Sequence, residues 1–294
     1  MTALSMVLVL GSGLLHATWN YLAKKCDDKF AFVWLFHVAG LVLFFPFFLN
    51  VFEPGAMSPL CWFCLLTTGI IHAFYFGFLS RAYEQGSLSI VYPIARGTGP
   101  CLVTFLAIVF LGESVCPLAG AGIVGVTLGM VLIHLPLGKG GGKWKEPLGR
   151  SGVVWAILTG TCGAFYSLVD KIGVSLVNPF VYVYLLFLGS WFFLSLFGIL
   201  VNPWHHWKMG SLVREWRKNW WNVIGVGVLC ITAYLMVLAA MVRTQLSYVV
   251  PLRESGILFS LVFGLFFLKE PFSWRRFWGA VLIFGGIVAI GSSN

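Results

Sequence analysis

Two arginines and one glutamate lie within stretches of sequence that are otherwise apolar. Arg96 lies between "LSIVYPIA" and "GTGP", and Arg253 and Glu254 follow "LSYVVPL". Burying an ionised side chain in hydrocarbon costs from about 3 to more than 10 kcal/mol, so such residues face a cavity or a partner. A planar guanidinium binds carboxylate, phosphate or phosphonate groups through two parallel hydrogen bonds. The three residues therefore predict a polar cavity that binds an anionic group.

The charges of these three residues add a second argument. With all three ionised they sum to +1, so an anionic substrate group would supply the missing negative charge. The alternative is an Arg–Glu–Arg network that only pins two helices together. Glu254 is also a candidate to carry a coupling proton. Burial favours its protonated form and the neighbouring arginines favour its ionised form, so this role requires the effect of burial to be the larger.

Other polar and aromatic side chains are candidates for the walls of the same cavity. His16 and Asn20 are four residues apart and share a helix face, with Trp19 beside them. Each histidine could instead be a packing residue, and each tyrosine part of the core. The complete predicted substrate-binding set is Arg96, Arg253, Glu254, His16, Trp19, Asn20, His72, Tyr75, Tyr166 and Tyr234.

The composition is that of an integral membrane protein, so these residues are expected to lie within membrane-spanning helices. Of the 294 residues, 59% are hydrophobic and 10% charged, and the mean hydropathy is +0.92, outside the range of soluble domains. Apolar runs of about 20 residues, enough to cross a ~30 Å core as helices, recur along the chain. We predict ten membrane-spanning helices: Ala3–Ala23, Phe30–Val51, Leu60–Leu79, Leu88–Leu111, Pro117–Leu135, Ser151–Val169, Pro179–Val201, Trp220–Val242, Leu246–Leu268 and Trp274–Ile290.

The basic residues predict how the chain is oriented. Fifteen of the 19 lysines and arginines lie in the connections that follow odd-numbered spans. By the positive-inside rule that side is cytoplasmic, which places both termini outside the cytoplasm. The net charge of +9 is explained by these loops and the lipid bilayer, so no nucleic-acid partner is predicted.

The two halves of the sequence resemble each other. "LSIVYPIAR" (Leu88–Arg96) corresponds to "LSYVVPLR" (Leu246–Arg253), and "HATWNYLAKK" (His16–Lys25) corresponds more weakly to "CGAFYSLVDK" (Cys162–Lys171). Because each half has five spans, the second enters the membrane in the opposite sense. We predict an all-α membrane protein of two inverted five-helix repeats, 1–136 and 151–294, around a central cavity, with a polar linker at 137–150.

The sequence resembles the drug/metabolite transporter superfamily, in particular its EamA-type ten-helix members. The resemblance rests on "HATWN" in the first span and on the fourth and ninth spans, which contain proline and end in "FLGE" and "FLKE". It implies a bacterial inner-membrane carrier that works by alternating access. It also implies a cavity lined mainly by the first, third, fourth, sixth, eighth and ninth spans, and a complete pathway within one chain.

Several other motifs favour structural roles. Asp170, Lys171, Glu113 and Glu270 close apolar spans and are expected to be caps at the membrane interface. "CWFC" (Cys61–Cys64) has redox-motif spacing but is expected to pack, and "HHW" at His205 lacks further ligands for a metal. The tryptophans between 204 and 221 are typical of an interfacial belt. "GKGGGKWK" lacks the phosphate-binding loop pattern, and no cofactor is predicted.

The predicted function is secondary transport of a small anionic or zwitterionic metabolite. The first alternative is a proton-coupled exporter of amino acids or amphiphilic drugs, in which the arginines are structural. The second is an intramembrane enzyme such as a lipid-modifying transferase, which is disfavoured because it would need clustered carboxylates or an activated nucleophile.

Overall fold

The computed structural model describes residues 2–24, 26–85, 88–134, 150–201, 209–267, 269 and 272–293. Within these ranges the chain forms α-helices joined by short connections, one of which is a 3-10 turn at Pro54–Ala56. The helices are α1 (Ala3–Lys24), α2 (Lys29–Val51), α3 (Pro59–Gln85), α4 (Leu88–Leu111), α5 (Pro117–His134), α6 (Arg150–Val174), α7 (Pro179–Val201), α8 (Met209–Arg243), α9 (Leu246–Arg253), α10 (Gly256–Phe266) and α11 (Trp274–Ser292).

The helices provide the ten predicted membrane spans. Nine segments of the described residues are long and apolar enough to cross a bilayer, and one of them, Leu246–Phe266, comprises α9 and α10 together. The shorter apolar helix α5 has 18 residues, or about 27 Å at 1.5 Å per residue, which is close to the ~30 Å hydrocarbon core. The all-α membrane fold is confirmed.

The helices pack as two inverted repeats require. α1 packs against α8, and its equivalent α6 packs against α3, the equivalent of α8. In the same way α2 packs against α8, and α7 against α3. The helices α5 and α11, which are equivalent, pack against each other. Each contact thus recurs with the halves exchanged, as expected for a pseudo-two-fold axis in the membrane plane.

The α5–α11 contact is made by glycines. A Cβ added to Gly286 would lie 2.5 Å from the carbonyl oxygen of Gly122, and one added to Gly279 would lie 2.8 Å from that of Gly129. Helices in lipid gain little from burying apolar groups, so close backbone packing of small residues stabilises their association.

The ninth span is broken at its centre, where α9 ends at Arg253 and α10 begins at Gly256. The Glu254 N–H donates to the carbonyl of Pro251 (3.1 Å), and the Ser255 N–H to that of Leu252 (3.0 Å). α1 contacts this break closely, since a Cβ on Gly13 would lie 2.9 Å from the Gly256 nitrogen. The helix equivalent to the ninth span, α4, is continuous through Gly97, Gly99 and Pro100, although the sequence allows a break in both spans.

The polar stretch 202–219 is not only a loop as predicted. Its second part, from Met209, is the beginning of α8, which kinks at Asn219 (φ −128°, ψ 21°). Glu215 is buried there and accepts the N–H of Asp28 (3.2 Å), while Arg214 and Arg217 are exposed. The segment is therefore an amphipathic helix that packs on the α1–α2 connection.

Some predicted features lie outside the described residues. These are the linker from 137 to 149, Trp204, Trp207, His205 and Glu270; the last residue assigned to the linker, Arg150, begins α6. The remaining tryptophans of the expected belt, Trp216, Trp220 and Trp221, are exposed.

Candidate functional site

A cavity of about 270 Å³ lies between the two halves of the protein. Residues of α1, α2, α3, α4, α6, α7, α8 and α9 form its wall. The polar and aromatic members of the wall are Ser12, His16, Trp19, Asn20, Phe36, His37, His72, Tyr75, Arg96, Tyr166, Phe187, Ser190, Tyr234 and Arg253. All the predicted binding residues except Glu254 are therefore brought together around one space.

The cavity reaches one face of the protein and is closed toward the other. We call the face with the α1–α2 and α3–α4 connections the loop face, and the face where α1 begins the terminal face. The wall extends toward the loop face as far as Asn20, which is exposed, and Leu79. Toward the terminal face, Val9, Met241 and Leu246 are fully buried beyond the wall.

Two polar contacts hold the terminal face closed. The Lys171 ammonium donates to the carbonyls of Met241 and Thr244 at the end of α8, the second at 3.0 Å. The Glu113 carboxylate accepts the N–H groups of Leu246 (2.6 Å) and Ser247 (2.9 Å) at the start of α9. A cation at a helix C-terminus and an anion at a helix N-terminus are both favourable positions. Lys171 and Glu113 thus cap helices α8 and α9, which are not the spans that they close in the sequence.

The two arginines differ in what already binds them. Nη1 of Arg96 lies 3.7 Å from the carboxylate of Glu254, and its Nη2 lies 3.1 Å from Nε2 of His16. At 3.7 Å the ion pair is beyond hydrogen-bond distance. No hydrogen bond or ion pair joins the guanidinium of Arg253 to another described residue, although Glu254, Tyr166 and Tyr234 are near enough to interact with its charge. Arg253 is therefore the cation that a cavity ligand can bind most directly.

Glu254 lies behind the arginines and outside the main cavity. It is 5% exposed and borders a cleft of about 30 Å³ that Arg96 and Arg253 also border. The Arg96–Glu254 contact joins α4 to the break after α9, so one half of the Arg–Glu–Arg network considered from the sequence is present, and Arg253 does not form the other half. The same contact holds Arg96 at the cavity wall.

His16 lies between two hydrogen-bond donors. The indole Nε1 of Trp19 donates to its Nδ1 (3.1 Å), and a guanidinium nitrogen of Arg96 faces its Nε2 (3.1 Å). A neutral imidazole has one accepting nitrogen and one N–H, so His16 can accept only one of the two bonds fully. The wall of the cavity thus holds more N–H donors than acceptors at this point.

A buried carboxylate that the sequence analysis assigned to the membrane interface lies beside the cavity. Asp170 is fully buried, so its assignment as an interface cap is wrong. Its Oδ1 accepts a hydrogen bond from the hydroxyl of Tyr182 (3.0 Å), and its Oδ2 accepts one from the hydroxyl of Tyr234. The helices α3, α7 and α8 enclose the last turns of α6, and their packing buries the side chain.

Asp170 also changes the charge sum. The deep charges are now Arg96, Arg253, Glu254 and Asp170, and they sum to zero when all are ionised. The argument that one negative charge is missing is therefore wrong as stated. The case for an anionic group rests instead on where the donors point, which is into the cavity, whereas both carboxylates lie behind the wall.

The sequence analysis missed the contribution of α2 and α7 to the wall. His37 donates from Nδ1 to the carbonyl of Val33 (2.8 Å) and stacks on Phe36. His72 of α3 donates to the carbonyl of Thr68 (2.8 Å) and stacks on Tyr166, with ring centroids 4.2 Å apart. A search for polar residues within each apolar span would have found His37, since it lies eight residues into α2.

Comparisons with known proteins identify the family and the fold of the chain. The model of the EamA-like transporter family matches residues 3–135 and again residues 150–292. A solved structure titled "Crystal structure of protein" is 19% identical over 99% of this chain and 97% of its own, with a TM-score of 0.78. At that identity it shows a shared fold alone. No curated protein matches the sequence.

The two family matches correspond to the two halves that surround the cavity, α1–α5 and α6–α11. Transport across a membrane is the activity of this family, and a wet space between two inverted repeats is where such proteins bind their substrates. The chain is thus a multi-pass integral membrane transporter of the drug/metabolite type and belongs to the EamA-like transporter family.

Proposed function

We propose that the protein transports a small organic metabolite that carries a carboxylate, phosphate or phosphonate group. The observation that carries the proposal is the guanidinium of Arg253, which borders the cavity without a hydrogen bond or ion pair to another described residue. The guanidinium of Arg96 adds further N–H donors to the wall, where His16 can accept from it only in competition with Trp19. An acceptor-rich, trigonal or tetrahedral oxyanion satisfies such donors through charge-assisted hydrogen bonds.

The remainder of the wall favours an organic ligand rather than a bare ion. Rings of Trp19, Phe36, Tyr75, Tyr166 and Phe187 surround the polar groups. Flat apolar surfaces of this kind bury the carbon skeleton of a ligand, while a few polar groups fix its orientation. A zwitterion also fits, because it leaves the sum of the deep charges at zero.

Transport by alternating access would use the two faces in turn. The present conformation opens to the loop face, which carries most of the basic residues and is therefore the cytoplasmic side in this proposal. The contacts of Lys171 and Glu113 must break for the terminal face to open. Both halves contribute to one cavity, so a single chain contains the whole pathway, in a bacterial inner membrane.

A binding screen tests the proposal. Purified protein is heated with a panel of carboxylates, phosphate esters, phosphonates and amino acids, and the ligands that raise its unfolding temperature are titrated. Arg253→Gln should weaken the binding of the best anion by about 10- to 100-fold, as expected for the loss of hydrogen bonds to a charged group. Arg96→Gln should weaken it less, because that guanidinium is shared with Glu254 and His16.

Arg243→Gln is the matched control. Arg243 lies at the end of α8 and donates to the carbonyl of Ala239 (3.0 Å), away from the central cavity. This variant should bind the anion as the wild type does. Unchanged affinity in Arg253→Gln, with folded protein, would contradict the proposal.

The second candidate is a proton-coupled exporter of amino acids or amphiphilic drugs, which the aromatic wall favours. In that case the Arg96–Glu254 contact would be structural only. A pH-dependent flux of cationic compounds that survives the loss of both arginines would establish it instead.

A further inference from the structure

Asp170 occupies a position that the proposed binding of an anion does not use. Its carboxylate is fully buried, yet no described cation lies within ion-pair distance of it. Lys171, the next residue, directs its ammonium to the carbonyls at the end of α8. Among the described residues, hydroxyl groups and the nearby imidazole of His72 therefore stabilise the negative charge of Asp170. A buried carboxylate without a cation partner can exchange a proton when its surroundings change.

Besides Thr68 of α3, two tyrosine hydroxyls donate to Asp170, and they lie in different surroundings. Tyr182 of α7 is fully buried, and its hydroxyl contacts the carboxylate but does not border the cavity. Tyr234 of α8 donates to the other carboxylate oxygen and also forms part of the cavity wall. Among the described residues, Tyr234 is thus the hydroxyl that both donates to Asp170 and borders the cavity. Arg253 borders the same cavity as Tyr234.

The described groups that face Asp170 come from three helices. From α3 these are His72, Thr68 and the thiol of Cys64; from α7, Tyr182; from α8, Tyr234. Nδ1 of His72 carries a hydrogen, since it donates to the carbonyl of Thr68. Both tyrosine hydroxyls direct their hydrogens at the carboxylate oxygens. Donors in these positions occupy the places where a metal ion would bind, so the cation that the carboxylate can take up is a proton.

The geometry points to a coupling between proton and anion: we propose that Asp170 takes up a proton when an anion enters the cavity, and that the hydroxyl of Tyr234 links the two events. This inference rests on the proposed function. In the ionised state Tyr234 donates its hydrogen to Asp170. When a proton from solution adds to the carboxylate, Asp170 becomes the donor and the oxygen of Tyr234 accepts. The hydrogen of Tyr234 then turns to the cavity and donates to an oxygen of the anion.

This exchange keeps the charge balanced. One proton and one negative charge are taken up together, and the only new covalent bond is the O–H bond of Asp170. An anion bound at Arg253 also repels an ionised Asp170, so both effects favour the protonated form when the cavity is occupied. By thermodynamic linkage the anion must then bind more tightly at low pH.

Binding of methanesulfonate at several pH values tests the coupling, because the charge of this anion does not change over the range used. The dissociation constant for the wild type should rise with pH by up to about tenfold per pH unit above the titration midpoint of Asp170. Asp170→Asn, which imitates the neutral carboxyl, should bind with a constant affinity. Tyr234→Phe should lose at least half of the slope.

Tyr182→Phe provides the matched control. It also removes one hydroxyl from Asp170, but that hydroxyl does not reach the cavity, so the slope should remain. Equal slopes in the wild type and in Tyr234→Phe would overturn the role of Tyr234. A slope that persists in Asp170→Asn, or the absence of methanesulfonate binding at every pH, would overturn the coupling, whereas the anion proposal is decided by the whole ligand panel.

Infrared spectroscopy without any anion decides the protonation of Asp170 separately. As the pH is lowered, a band of the protonated carboxyl should appear in the wild type and in Glu254→Gln, and be absent in Asp170→Asn. If the band persists in Asp170→Asn and is lost in Glu254→Gln, the proton belongs to Glu254 and the inference is wrong.

Discussion

His16 has donors at both ring nitrogens, and this sets it apart from the other two cavity histidines. His37 and His72 each donate from Nδ1 to a main-chain carbonyl four residues earlier. His16 instead faces the indole of Trp19 and the guanidinium of Arg96. Since only one nitrogen can accept, the two donors compete, and the competition weakens the hold of His16 on Arg96.

Removing one competitor should therefore strengthen the other contact. In Trp19→Phe the Nδ1 of His16 can carry the hydrogen, and Nε2 accepts fully from Arg96. We expect anion affinity to fall by about 2- to 10-fold, the value of one neutral hydrogen bond, measured by titration of the best ligand of the panel. Trp34→Phe, which loses an indole bond to Ser195 on α7, should have no effect on affinity. Tighter anion binding in Trp19→Phe would contradict this explanation.

The sequence reveals some of these residues better than others. Arg96 and Arg253 are visible because a charge in the middle of an apolar span has no structural explanation on a lipid-facing surface. Asp170 is near the end of its span and next to a lysine, which is the usual pattern of an interface cap. Its burial depends on where Tyr182 and Tyr234 lie in the folded protein. No pattern within α6 contains that information.

At the scale of single helices, α9 depends on a cap that comes from the other half of the protein. It has eight residues and no side-chain cap of its own at Gln245. Gly112 adopts φ +65° after the end of α4, a conformation that glycine adopts without strain. The turn places Glu113 over the first N–H groups of α9.

The variant Glu113→Gln tests this cap. Replacing the carboxylate by an amide removes the charge and turns one acceptor into a donor, so we expect a loss of about 1 to 2 kcal/mol in stability. The measurement is the unfolding temperature in detergent, which should fall by a few degrees. Glu53→Gln is the control, since Glu53 is exposed and its side chain caps no helix. Equal unfolding temperatures for the two variants would show that the contact contributes nothing.

The existence of the helices could be predicted from the sequence, but the difference between α4 and the ninth span could not. Both spans contain proline and glycine around an arginine, so both allow a break. Only the ninth is interrupted, at Glu254 and Ser255, where α1 approaches at Gly13. The position of a break thus depends on which backbone packs against it, and that is a property of the tertiary structure.

At the scale of the whole molecule, the two repeats meet along the glycine contact between α5 and α11. Gly286 is buried there, and the next residue toward the N-terminus, Gly285, is exposed with no atom within 4 Å of an added Cβ. Gly286→Ala should therefore destabilise the protein by about 1 to 3 kcal/mol, the usual cost of overpacking. Gly285→Ala should be neutral or slightly stabilising, because alanine favours helix.

Thermal unfolding of both variants in the same detergent checks this prediction. If Gly286→Ala is as stable as Gly285→Ala, then the repeats do not depend on close backbone contact at this point. The sequence predicts the two repeats and their inversion because the matched segments fall in spans of opposite direction. It does not predict which helices pair, since many glycines are distributed over all the spans.

Lys171 and Asp170 are neighbours on α6, and their side chains leave the helix axis about 100° apart. Lys171 donates to a carbonyl at the end of α8 on the terminal face, and Asp170 accepts a hydrogen bond from Tyr234 further along the same helix. A rotation of α6 that breaks the hydrogen bonds of Lys171 to α8 must also displace Asp170 from Tyr234. The contact that closes the terminal face and the hydrogen bond beside the cavity are therefore geometrically linked through one helix, α6.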